Sequence, residues 1–229
     1  MGFKIEKERT KHKNFDMCLF ERLTSFYTLH FRYETYRKPL KMKEQIKTYF
    51  NRYVEFSDTE IDEIYSILIS KIFQKKDYIL REGQICKSNY FIINGLVRSF
   101  YIDDKGNEKI TQFALENWWV TNMESYIKNI PSYSSIQAIE KTTVLIVDKV
   151  ELERLFKSIP KLERFFRIIT ENMLIAIQRR NDIYLQMKSK DRYASLINHF
   201  PNFIQRVPQY MIASYLEITP EYLSELRKK

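Results

Sequence analysis

The sequence predicts an α+β fold. It reads as an antiparallel β-roll of the double-stranded β-helix or jelly-roll type, then a long helix, then a helix-turn-helix of the winged type lacking its usual wing. Three observations carry this. Three of the four glycines, Gly83, Gly95 and Gly106, punctuate short apolar runs at intervals of 12 and 11 residues, the spacing of short antiparallel strands. Residues 161–187 then carry apolar side chains at helical spacing over a length rare outside paired helices. Finally, Thr219-Pro220 restarts a helix close behind another one, with a threonine N-cap followed by proline at the first helical position.

In chain order, residues 1–41 are basic and aromatic-rich without clear periodicity. They form an N-terminal extension: a short amphipathic element around Leu19–Phe31, a disordered arm, or non-native residues ahead of a start at Met42. A short helix is expected over Gln45–Phe56. Ser57-Asp-Thr-Glu60 is a capping box opening an amphipathic helix to about Ser70, with Ile61, Ile64, Tyr65 and Leu68 on its inner face. The roll, with its N-terminal helices, spans 42–148. Its strands are expected at Tyr78-Ile-Leu80, Tyr90–Ile93, Leu96–Ile102, Lys109–Leu115, Ser135–Ala138 and Thr143–Val147. Asn94-Gly95 reads as a hairpin turn and Asp103–Asn107 as a second tight turn.

Residues 149–188 read as helices: a short one from Lys149 to Lys157, a break at Ser158-Ile-Pro160, and a long one from Lys161 to Met187. The stripe on the long helix comprises Leu162, Phe165, Phe166, Ile169, Met173, Ala176, Ile177 and Ile183. Such a helix is about 40 Å long, more than a small roll can cover. Lys188–Asp191 is the expected hinge into a last module, 189–229. There Met211, Ile212, Tyr215 and Leu216 face inward from one helix and Leu223 and Leu226 from the next. Ala213 leaves room where the two cross.

The chain has net charge +9, but residues 1–41 alone contribute +5. Basicity therefore argues only weakly for a nucleic-acid partner. Two cysteines, Cys18 and Cys86, exclude a four-cysteine cluster and a disulfide framework. Residues 71–148 hold no histidine, which excludes a His-rich metal site on the strands, and no nucleophile or phosphate-loop motif is present. No enzyme, metal or cofactor is expected. Without a transmembrane-length apolar run or a signal-peptide core, the expected location is the cytoplasm, with no membrane partner.

Ile79-Leu-Arg-Glu-Gly83-Gln, Tyr90-Phe-Ile-Ile-Asn-Gly95-Leu-Val and Gly106-Asn-Glu108 together resemble the β-roll of cyclic-nucleotide-binding domains. Followed by a long helix and a helix-turn-helix, they make residues 42–229 similar to the Crp/Fnr family of bacterial transcription regulators. The resemblance implies a homodimer joined along the long helix, through Phe165, Phe166, Ile169, Met173, Ala176 and Ile177. It implies double-stranded DNA and RNA polymerase as partners. The exposed face of the last helix then supplies the DNA-reading set: Thr219, Glu221, Tyr222, Ser224, Glu225, Arg227, Lys228 and Lys229. Glu217 stands in the turn where glycine is usual, and Glu225 where these regulators commonly carry a base-reading arginine.

Cyclic-nucleotide binders of this fold hold the ribose with Gly-Glu and the phosphate with arginine. Here Val120-Thr121 replace the first pair and Ser132 the arginine, and no Arg or Lys lies between Lys128 and Lys141. A buried phosphate without a cation is unfavourable, so tight cyclic AMP binding is not expected. Trp118, Trp119, Tyr126 and Tyr133, with Ser132, either line a pocket for an unidentified small-molecule effector or pack as core. The competing function class is a ligand-binding or scaffold protein whose terminal helices pack without reading DNA.

Overall fold

Among residues 40–228, which the computed structural model describes, the first helices are α1 (40–50) and α2 (Asp58–Ser66). The readings of the N-terminal extension fall outside the described residues, apart from its last two positions in α1. The capping box forms as its chemistry requires: the Ser57 hydroxyl accepts from the Glu60 N–H at 3.3 Å, and the Glu60 carboxylate accepts from the Ser57 N–H at 2.7 Å. Helix α2 stops at Ser66 rather than near Ser70. Residues Ile69–Phe73 are drawn instead into strand β1, paired with the strand at Thr142–Asp148. Pairing along a sheet edge outweighs helical periodicity there, and β-branched Ile69 and Ile72 favour it.

The remaining strands are β2 (Tyr78–Leu80), β3 (Ser88–Asn94), β4 (Val97–Ile102), β5 (Glu108–Ala114), β6 (Trp119–Val120), β7 (Ser135–Ala138) and β8 (Thr142–Asp148), with helix α3 (Met123–Lys128) before β7. They form two four-stranded antiparallel sheets, ordered β1-β8-β3-β6 and β2-β7-β4-β5. Leu80, Tyr90, Ile92, Val97, Val120, Ile136 and Val144 meet between the sheets and fill the roll.

Asn94-Gly95 is not a hairpin turn. Strands β3 and β4 lie in different sheets, and the dipeptide is the corner where the chain changes sheet. Gly95 has φ +107°, and a Cβ there would stand 2.7 Å from the Thr142 Cα. The glycine is thus required both by its conformation and by close passage of another backbone segment. Asp103–Asn107 is a true hairpin turn joining β4 to β5, its Asp103 carboxylate accepting from the N–H groups of Lys105 and Asn107.

Helix α4 covers Lys149–Ser158 and α5 Lys161–Gln186. The first turns of α5 are anchored by Leu162 and Phe165, and Phe165 stacks on Phe50 at 4.0 Å with the rings 7° from parallel. Beyond Met187, in extended conformation, come α6 (Ser189–His199), α7 (Pro201–Arg206), α8 (Gln209–Leu216) and α9 (Pro220–Arg227). These helices share a core with the outer side of the β4–β5 hairpin: Phe100, Ile110 and Phe113 pack with Phe203, Ile212, Leu216 and Leu223. The described residues from Tyr49 onward accordingly form one compact unit.

Candidate nucleic-acid interface

Helices α8 and α9 form the expected tight pair. The Thr219 hydroxyl accepts from the Tyr222 N–H at 3.2 Å, and Pro220 occupies the first turn. Glu217 takes the left-handed turn position, φ 56° and ψ 43°, where a glycine would avoid a penalty of about 1–2 kcal/mol. Fully buried Ala213 accepts a bond from the Ile218 N–H through its carbonyl at 3.0 Å, closing the turn. The inward residues are Leu223 and, in part, Leu226. Glu221, Tyr222, Ser224, Glu225, Arg227 and Lys228 all stand exposed on the outer face of α9. Lys229 lies outside the described residues. Thr219 is exposed too, but its hydroxyl is engaged as the cap.

That outer face is of mixed charge. Glu221 and Glu225 are one helical turn apart, and among the described residues neither pairs with a cation. Arg227 and Lys228 sit at the C-terminal end, where they complement the helix dipole. A glutamate on such a face can accept from the N4 amino group of cytosine, whereas phosphate repels it.

The helix pair is fastened to the roll by contacts that the sequence does not announce. The Ser214 hydroxyl accepts from the Ile110 N–H at 3.1 Å and donates to the Glu108 carbonyl at 2.8 Å, filling the free edge of β5. Arg206 reaches Glu116 at 2.7 and 3.1 Å and Glu140 at 2.5 Å. Burial raises the Glu116 pKa, but bonds from Arg206 and from the Gly95 N–H outweigh it and hold the carboxyl below its ordinary range. Near the hinge, Tyr184 donates to the Tyr215 carbonyl and Arg192 donates to the Leu216 carbonyl, engaging the last carbonyls of α8. Arg180 lies 4.4 Å from the Tyr215 ring centroid and donates to the Thr111 carbonyl. None of these partners is close in sequence; Glu116 and Arg206 are 90 residues apart, and no motif links them.

The five pocket residues do not converge. Trp119 packs outside the roll against Phe91 and Phe166, at 5.1 and 5.2 Å between ring centroids. Tyr126 is a core residue of the roll, its phenol pushed up to about 12 by burial. Trp118 and Tyr133 are exposed. Ser132 is buried, with its hydroxyl donating to the Ser134 carbonyl at 2.7 Å. Around it the polar groups satisfy one another: Asn122 donates to the Ser134 hydroxyl, and the Ser125 hydroxyl accepts from the Cys86 N–H. The nearest cation to these residues among those bonded to them is Lys149, which donates to the Tyr126 carbonyl at 2.8 Å; the Ser132 hydroxyl itself is bonded to backbone and not to a cation.

Of the expected dimer residues, Phe165 is wholly buried in its own protomer's aromatic cluster and has no surface to offer a partner. The anchoring of α5 consumes it. Phe166 is half-buried against Trp119 and Phe156. Ile169 and Met173 are half-buried, while Ala176 and Ile177 are exposed, with Leu174 and Leu185 beside them.

Comparison with known proteins places these features in context. Residues 70–158 match the model of the cyclic nucleotide-binding domain family. The Electron transport regulator A of Shewanella oneidensis is 25% identical over 179 residues, covering 73% of this chain and 71% of that protein. The Fumarate and nitrate reduction regulatory protein of Vibrio cholerae is 26% identical over 182 residues, covering 74% of this chain and 72% of that protein. The solved structure of FixK2 from Bradyrhizobium japonicum superposes with a TM-score of 0.62 at 18% identity, over 71% of this chain and 83% of that one, which shows a shared fold.

Proposed function

We propose that the chain is a transcription regulator of the Crp/Fnr type, acting as a homodimer that reads double-stranded DNA with α9 and does not answer to cyclic AMP. The observation that carries the DNA-reading part is the α8–α9 pair: a closed turn behind a helix with six exposed polar, charged or aromatic side chains and a single fully buried residue. Those six, Glu221, Tyr222, Ser224, Glu225, Arg227 and Lys228, are the base- and phosphate-contacting set. Thr219 orients the helix through its cap.

The dimer reading rests on α5. Its 26 residues span about 39 Å; the protomer buries the first turns and meets Arg180 and Tyr184 near the end, but leaves Ala176 and Ile177 between them exposed. Ile169 and Met173, half-buried, and Ala176 and Ile177, exposed, continue the stripe. A two-fold axis along this helix would set two copies of α9 into successive major grooves, about 34 Å apart, on a near-palindromic site. Among the described residues no helix is long and apolar enough to cross a membrane. RNA polymerase as a partner and a small-molecule effector follow from the family alone.

Against cyclic AMP stand Ser132 in place of an arginine and the self-satisfied polar groups around it. Titration calorimetry with cyclic AMP is expected to give no heat of tight binding. The deciding experiment selects sites from random DNA with purified protein. Enrichment of a palindrome supports the reading; no enrichment at low salt overturns it in favour of a scaffold protein.

A further inference from the structure

Residues 189–228 carry five cations, Lys190, Arg192, Arg206, Arg227 and Lys228, for a module that must approach a polyanion. Two are engaged inside the protein. Arg192 donates to the carbonyls of Met187 and Leu216 and to the Ser189 hydroxyl, all neutral groups of the hinge and turn. Arg206 differs in kind: both of its partners are carboxylates, and both belong to the roll. Glu116 takes it in a two-bond fork, and Glu140 adds a contact of 2.5 Å and a longer one of 3.4 Å. One guanidinium thus faces two carboxylates, leaving a local excess of negative charge. The cluster is also partly open, with side-chain exposures of 29–33%. The guanidinium is therefore within reach of water and of another anion.

Arg206 ends α7, and only Val207 and Pro208 separate it from α8. In a helix-turn-helix the first helix crosses the DNA backbone, so a cation at its start lies where phosphates run. An arginine fork fits a phosphate as well as it fits a carboxylate. We propose that Arg206 is a masked phosphate contact: Glu116 and Glu140 hold it while the α6–α9 module is docked on the roll, and a DNA phosphate replaces them when the module engages its site. The roll would thereby compete with DNA for one residue of the reader, which makes the strength of docking a control on affinity. This inference rests on the DNA-reading function proposed above.

The test measures binding of the full chain to its selected DNA site by fluorescence anisotropy across a salt series. Glu116→Gln with Glu140→Gln frees Arg206 without removing it. Affinity is expected to rise about fivefold, the upper range for one exposed ion pair, and the slope of log K against log salt to steepen by about 0.9, one phosphate contact. The same two substitutions in an Arg206→Gln background should give neither change. Should the gain persist in that background, it reflects general loss of acidic charge and overturns the proposal; an unchanged Kd in the double variant also overturns it. Glu140→Gln alone leaves the Glu116–Gly95 bond in place and is expected to move affinity the same way by less, which keeps the test decisive if the double variant folds poorly. Failure of the unsubstituted protein to enrich any site would instead defeat the DNA-reading function itself.

Discussion

The Ser214 hydroxyl accepts from the Ile110 N–H at 3.1 Å, so a side chain of α8 serves as the hydrogen-bond partner for an edge strand of the roll. Unpaired strand edges are hazards that proteins cover. Here the cover is part of α8, whose Ser214 also donates to the Glu108 carbonyl. Ser214→Ala removes both bonds at once and is expected to destabilise the docked arrangement by about 1 kcal/mol. The readout is local: the Ile110 amide should exchange its hydrogen faster, while amides of β3 and β8 keep their protection.

The Gly95 corner gives a harsher test of the roll. Alanine there would place a methyl group 2.5 Å from the Thr142 Oγ1 and 2.7 Å from its Cα, at a φ of +107°. The backbone conformation and the overlap together are expected to cost about 3 kcal/mol. That is a large share of the 5–15 kcal/mol typical of a whole domain. Gly95→Ala should lower the denaturant midpoint strongly, whereas Gly106→Ala, with open space around its missing Cβ, should lower it less.

These two positions also mark how far the sequence carries. The capping box at Ser57–Glu60, the turn at Asp103–Asn107 and the cap at Thr219 are local devices, and each forms where its residues stand. Asn94-Gly95 carries the same local signal as a hairpin, but its outcome is decided by Thr142, 47 residues on, which no short-range pattern reveals. Helix α2 ends early for a similar reason, since β8 claims Ile69–Phe73 as a neighbour. At the candidate interface, the outward face of α9 is legible because helical periodicity separates it from Leu223 and Leu226. The docking contacts are not, because Arg206 and Ser214 find partners on β5 and in the loops flanking β6 and β7. Phe165 shows the limit of a stripe: periodicity marks it as inward-facing, and only the fold shows that the interior is its own.

Acid should loosen the docked module before it unfolds the roll. Bonds from Arg206 and the Gly95 N–H keep the Glu116 carboxyl below its ordinary value of 4.5 against the opposing effect of burial. A group whose pKa is lower folded than unfolded stabilises the folded state above the unfolded value, and that contribution fades as pH falls through the folded value. Docking is therefore expected to be insensitive to pH from neutrality down to about 4.5 and to weaken below it. Tyr215, packed 5.3 Å from the Phe113 ring, lies within the docked surface, and near-ultraviolet circular dichroism would follow its loss. The Glu116→Gln variant should show a flatter acid limb.

The exposed stripe of α5 is the surface on which a dimer would depend. Ile177 is 50% exposed on a stripe that continues from Ile169 and Met173, so a charge there costs the isolated protomer little. In a two-fold dimer the same charge would meet its own copy across an apolar seam, and both would be desolvated without a partner. Ile177→Glu is expected to leave the thermal unfolding of the roll within about 0.5 kcal/mol while shifting the mass measured by light scattering from dimer toward monomer. Affinity for a full palindrome should fall with it, and affinity for a single half-site should not, because each protomer retains its own α9. A variant that stays dimeric would place the two-fold axis elsewhere than on this stripe.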